Sequence, residues 1–124
     1  MIKKEESRTD LGVVRIHNNV IASIASIAAG EIQGVKRIGG DLKSGFLELF
    51  GKKDAGRIKV DIDKNGEVRL EVPLVIKYGY NIPEIAGQVQ EAIRNALEQM
   101  TNLSIKDINI IIQGIEVPAQ DGKQ

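Results

Sequence analysis

The chain has 124 residues, with 17 acidic and 17 basic side chains, one histidine and no cysteine. Disulfides, thiolate catalysis and cysteine-bound zinc are excluded, and so is any metal site needing several histidines. A formal net charge of zero argues against a protein that holds nucleic acid or an anionic membrane by bulk charge.

This length corresponds to one domain, large enough to bury a core without staples. The apolar mass is aliphatic: 19 Ile and 10 Val against two Phe, two Tyr and no Trp. Such β-branched residues favour strands and close packing. So few aromatics leave little lining for a cofactor pocket, and no cofactor is expected. Residues 1–10 mix both charges and lack the apolar stretch of a signal peptide, so they read as a flexible N-terminal arm. No apolar run approaches the roughly 20 residues of a membrane span. The expected location is cytoplasmic, with any membrane association made through a partner.

From residue 11 the elements follow in order. Residues 12–16 read as a short first strand. His17-Asn18-Asn19 then enters a helix over about 18–30, and either Asn is suited to cap it. Val20, Ile24, Ile27 and Ala28 recur at helical spacing, with Ile21 and Ala25 widening the stripe. The polar side is thin, Ser23 and Ser26, which predicts a well-covered helix. Residues 35–38 suit a second strand. Residues 39–56 hold five of the thirteen glycines and both phenylalanines, and read as a mobile insert with a turn or two of helix at its centre.

Residues 57–63 and 67–78 alternate cleanly. Ile58, Val60 and Ile62 share one face, as do Val68, Leu70, Val72, Leu74, Ile76 and Tyr78. If both sets share a face, Ile62 lies opposite Val68, Asp61 opposite Arg69 and Lys59 opposite Glu71. The loop Lys64-Asn65-Gly66 then needs Gly66 in a left-handed conformation. Pro73 predicts an edge strand or a bulge. Asn81 with Glu84 three residues on approximates a capping box, with Pro83 in the first turn. The stripe Ile85, Ala86, Val89, Ile93, Ala96, Leu97 and Met100 fits a helix. Thr101-Asn102 ends it, and residues 105–113 form a last strand, followed by a polar tail over 118–124. The order is β-α-β-β-β-α-β: a single α+β domain over 11–117, a mixed sheet with two helices packed on one face.

No constellation for catalysis stands out. Asp61-Ile62-Asp63-Lys64-Asn65-Gly66 matches the start of a calcium loop, but the twelfth position is Val72 rather than a bidentate Glu. Strand alternation and turn chemistry explain the same residues. His17 reads as a helix-entry residue, and no metal or catalytic residue is assigned. The basic residues of 36–53 are interleaved with acids, and the strands carry no aromatic for stacking RNA bases except Tyr78, on the apolar face, so a small RNA-binding module is the least favoured reading. The anomaly is Phe46-Leu47-Glu48-Leu49-Phe50. Aromatic and apolar clusters mark interfaces, so a protein contact surface is placed on Leu42, Phe46, Leu47, Leu49 and Phe50.

The stretch from Gly12 to Val35, with Val20-Ile21, Ile24-Ala25, Ala28-Ala29-Gly30-Glu31-Ile32 and Gly34-Val35, resembles the opening of the alkaline-shock (Gls-type envelope stress response) family of Gram-positive bacteria. The run Tyr78-Gly79-Tyr80-Asn81-Ile82-Pro83-Glu84-Ile85-Ala86 resembles that family's signature. So do Val89-Gln90, Met100-Thr101, Ile108-Asn109-Ile110 and Gln113-Gly114-Ile115. The likeness spans about residues 11–117. Gln33 and Asn102 depart from it at turn positions, where Asn tolerates the left-handed conformation a Gly would supply. The short chain resembles the YqhY-like branch. The resemblance implies a non-enzymatic protein of envelope homeostasis. It would act as a protein scaffold, self-associating and in some members held by a membrane-anchored partner. An alternative implication is a regulatory partner of a lipid-synthesis enzyme, acetyl-CoA carboxylase. It supplies no catalytic residues.

Overall fold

The computed structural model describes residues 6–39 and 57–118. Its centre is the hairpin that the alternation predicts. Strands β4 (Lys59–Ile62) and β5 (Glu67–Lys77) run antiparallel, with Lys59 opposite Glu71, Asp61 opposite Arg69 and Ile62 opposite Val68. Gly66 takes φ +80° in the turn, and its N–H donates to the Asp63 carbonyl at 2.9 Å. The ion pairs are not the ones the register suggests. Arg69 Nε lies 3.6 Å from Asp107 Oδ2 on another strand.

Asp63 is turn chemistry. Its Oδ1 accepts from the backbone N–H of Asn65 at 2.9 Å and of Glu67 at 3.0 Å. These bonds favour the ionised form. The Glu67 bond is the largest cause holding this carboxyl below its ordinary value of 3.8. A carboxyl whose folded value is depressed stabilises the fold above its unfolded value and loses that contribution as pH falls through the folded one. Asp63→Asn keeps the acceptor and removes the charge. The wild type should therefore lose stability more steeply than this variant as pH falls below about 4. Parallel acid-titration curves by circular dichroism for the two proteins would contradict this.

Strand β5 is the middle of the sheet. Strand β6 (Ser104–Glu116) pairs with it in parallel along residues 67–77. Strands β3 (Val35–Ile38) and β4 both pair with β5 antiparallel, so they share its other edge, end to end. Pro73 is therefore not on an edge strand. It is buried in the central strand, between the stretch paired with β4 and the stretch paired with β3. Its carbonyl accepts the Gly39 N–H at 2.8 Å. The missing N–H thus costs only the reciprocal bond to Gly39, just past the end of β3 at the junction. The bulge half of the expectation lies close by, in a register shift between Leu74 and Val75.

Two helices cover one face. Helix α1 spans Asn18–Gly30 and helix α2 spans Ile82–Thr101. They pack against each other; α1 reaches β3 and β4, and α2 lies over β6. Helix α2 starts as expected, with Asn81 Oδ1 accepting the Glu84 N–H at 2.9 Å. It ends on Asn102 at φ +61°, whose N–H donates to the Glu98 carbonyl at 3.3 Å. The core joins Ile21, Ala25 and Ala29 of α1 to Ile85, Val89, Ile93 and Leu97 of α2, above Val68, Leu70, Val72, Leu74 and Ile76 of β5.

Three expectations are corrected on this face. Helix α1 buries Ile21, Ala25, Ala28 and Ala29, while Val20 and Ile27 of the expected stripe are exposed. Small residues inward bring α1 close to its neighbours. Its N-cap is His17, without a side-chain cap bond, rather than an Asn. Met100 and Tyr78 face solvent, and Thr101 takes the buried position at the end of α2. Its hydroxyl donates to the Leu97 carbonyl and accepts the Leu103 N–H at 3.1 Å.

The first strand does not join the main sheet. Within the stretch read as an arm, residues 6–9 form β1 (Glu6–Thr9), which pairs antiparallel with β2 (Gly12–Arg15) in a sheet of its own. Thr9 Oγ1 accepts the Leu11 N–H at 3.1 Å across the turn.

Candidate interaction surface

Most residues of the sequence signature build the frame. Tyr78 and Gly79 make the turn out of β5, with Gly79 at φ +99°. Asn81, Ile82 and Pro83 start α2, and Met100 and Thr101 end it. Gly114 lies opposite Val75, and Gln113 is the residue skipped at the register shift in β6. Behind this turn, Tyr80 stacks close over Gly34, the residue that enters β3.

Two signature residues meet across the fold. Gln90 on α2 donates its side-chain amide to the Ile108 carbonyl of β6 at 2.9 Å. Asn109 lies beside it. Both line a groove of about 420 Å³ between α2 and β6, with Gly87, Glu91, Arg94, Lys106, Asp107 and Ile108. The helix side follows the spacing 87, 90, 91, 94, one wet face of α2. The sequence carried that face, but not that the next strand turns back along it. Lys106 Nζ reaches Glu67 Oε1 only at 4.0 Å, an exposed pair worth little.

Apolar surface lies open elsewhere. Leu11 at the hairpin turn is 98% exposed and Ile27 on α1 is 65% exposed. Val13, Val14 and Val20 are also exposed. Single exposed aliphatics are ordinary, but several on one hairpin and the adjoining helix are the kind of surface that partners cover. The residues Leu42, Phe46, Leu47, Leu49 and Phe50, expected to carry the contact, lie outside the described residues. Among the described residues no group of three or more His, Cys, Asp or Glu side chains is placed to hold a metal ion. No helix among them is long and apolar enough to cross a membrane.

These features define a two-layer α+β domain with a separate two-stranded hairpin, exposed aliphatic side chains on the hairpin and on α1, and a polar groove along one sheet edge. Residues 6–117 match the model of the alkaline shock protein 23 family, described as having a cell envelope-related function, and the chain belongs to that family. It is 43% identical over 117 residues to the uncharacterised protein YqhY of Bacillus subtilis, covering 94% of this chain and 86% of that protein. It is 30% identical to YloU of the same organism, over 90% of this chain and 95% of that one. The family resemblance read from the signature and the likeness to the YqhY-like branch therefore both hold. A solved variant of MamM-CTD superposes with a TM-score of 0.50 at 11% identity, covering 81% of this chain and 100% of that one, a likeness of fold alone.

Proposed function

We propose that the protein serves the cell envelope as a non-enzymatic scaffold that works through protein contacts. The observation that carries this reading is the exposed aliphatic surface of the hairpin and α1, Leu11, Val13, Val14, Val20 and Ile27, on a member of an envelope-related family. Helix α1 has no charged residue, so no ionised side chain on its open side has to be desolvated by an apolar partner. The signature residues shape turns, caps and a groove rather than a reaction centre. The partner is a protein anchored in the membrane, which would hold this chain at the cytoplasmic side; residues 42–50 are a second candidate for the contact by their sequence. Regulation of a lipid-synthesis enzyme is the competing reading.

The test is Ile27→Asp. Because Ile27 lies outside the core, the variant should keep its fold and lose no more than about 1 kcal/mol of stability, most of it from placing an acid in the last turn of α1. It should lose the partner that the tagged wild type retains. Undiminished capture by the variant would remove α1 from the contact.

A further inference from the structure

Strand β6 uses one edge for β5, and its other edge carries no strand among the described residues. It is 13 residues long. The Gln90 amide approaches the Ile108 carbonyl from α2, which places the outward main chain at Ile108 and, by alternation, at Ile110 and Ile112. A long apolar edge of this kind is a template for another strand.

The side chains point to which strand. The residues of β6 opposite the core positions of β5 are Ile105, Ile108, Ile110, Ile112 and Ile115. Read from either end they have the same spacing, symmetric about Ile110. The register shifts, which skip Lys106 and Gln113, leave an uninterrupted stretch over 107–112 that contains Ile110 and both of its isoleucine neighbours on that face. Ile110 and Ile112 remain only partly covered despite facing the helix layer.

We propose that β6 pairs antiparallel with β6 of a second copy of this chain, about a two-fold axis at Ile110. Each core-side isoleucine then meets an isoleucine: Ile108 meets the partner's Ile112, and Ile105 the partner's Ile115. On the other face Asn109 meets the partner's Ile111. No like charges oppose one another, because Lys106 faces Gly114 and Asp107 faces Gln113. Such a contact is self-complementary, as a two-fold interface must be. A carbonyl has two acceptor sites, so Ile108 keeps Gln90 while accepting from the second strand. The groove rim carries Glu91 and Arg94, an acid and a base presented to their own copy. The two sheets become one, with both helix layers on the same side.

The chain has no cysteine, so a single introduced one is a unique label. Sedimentation should give twice the 13.5 kDa mass of one chain. Spin labels on Asn109→Cys lie next to the axis and should report a separation under about 20 Å. Labels on Ser104→Cys should report about 40 Å, twelve residues at ~3.3 Å each. Both positions are exposed, so both variants should fold. A chain that stays monomeric overturns the proposal and leaves the edge to an extended peptide of another protein. A dimer with the two distances equal or reversed also overturns it, by placing the interface elsewhere. Neither result bears on the envelope scaffold, which does not require a dimer.

Discussion

Gly34→Ala is expected to lower the melting temperature by about 10 °C or more, though it adds one methyl group. Gly34 sits at φ +104°, a backbone region that L residues rarely enter, at a cost of about 1–2 kcal/mol. An added Cβ would lie 2.8 Å from Ile85 Cδ1, 2.9 Å from Tyr80 Cδ2 and 3.1 Å from Tyr80 Cγ. Overpacking of this kind costs a further 1–3 kcal/mol or so. The Ile85 side chain cannot swing away freely, because it is only 4% exposed in the core between α1 and α2. The Gly34 carbonyl also accepts the Lys77 N–H at 2.8 Å, which ties the entry of β3 to the end of β5. Thermal unfolding checks the claim. A shift of only a degree or two would mean that the Tyr80 turn yields easily, and Tyr80 would then be no fixed part of the frame.

Ile93→Ala should cost about 2–5 kcal/mol. Ile93 is fully buried midway along α2, against both α1 and the sheet. Truncation there loses both the transfer term and the contacts around the cavity. Met100→Ala, two turns further on, should cost under about 1 kcal/mol, because Met100 is 67% exposed. Chemical denaturation of the two variants measures the contrast directly. Equal losses would contradict the placement of the end of α2.

These two positions also mark where the sequence was legible. The stripe of α2 was readable because a long polar side, Gln88, Glu91, Asn95 and Glu98, fixes the buried direction. At the last turn Met100 and Thr101 compete for the core, and hydropathy favours the wrong one. Thr101 wins because its hydroxyl is satisfied by Leu97 and Leu103. Helix α1 has no charge to orient it. Val20-Ile24-Ile27 and Ile21-Ala25-Ala28 are then two equally good stripes, one position apart. The central hairpin came out to the residue because alternation and Gly66 over-determine its register. Pro73 misled because a local rule about ladder bonds does not anticipate two short strands sharing one edge. The groove between α2 and β6 was invisible for a similar reason. Adjacent elements meet here, but the sequence does not say which edge of β6 is left free of a strand, and so where residues 87–94 and 106–109 face one another. The strand β1 has polar residues only, Glu6-Ser7-Arg8-Thr9, and so carried no hydrophobic alternation to read.

The scaffold reading meets its most direct test in the native bacterium. The tagged chain is recovered with and without detergent, and the proteins that come with it are identified by mass spectrometry. The account predicts a small membrane-anchored protein at near-stoichiometric amount, present only when detergent releases it, and lost from Ile27→Asp. Recovery of carboxylase subunits from the soluble fraction instead, with no membrane protein in either sample, would contradict it and favour the regulator of lipid synthesis.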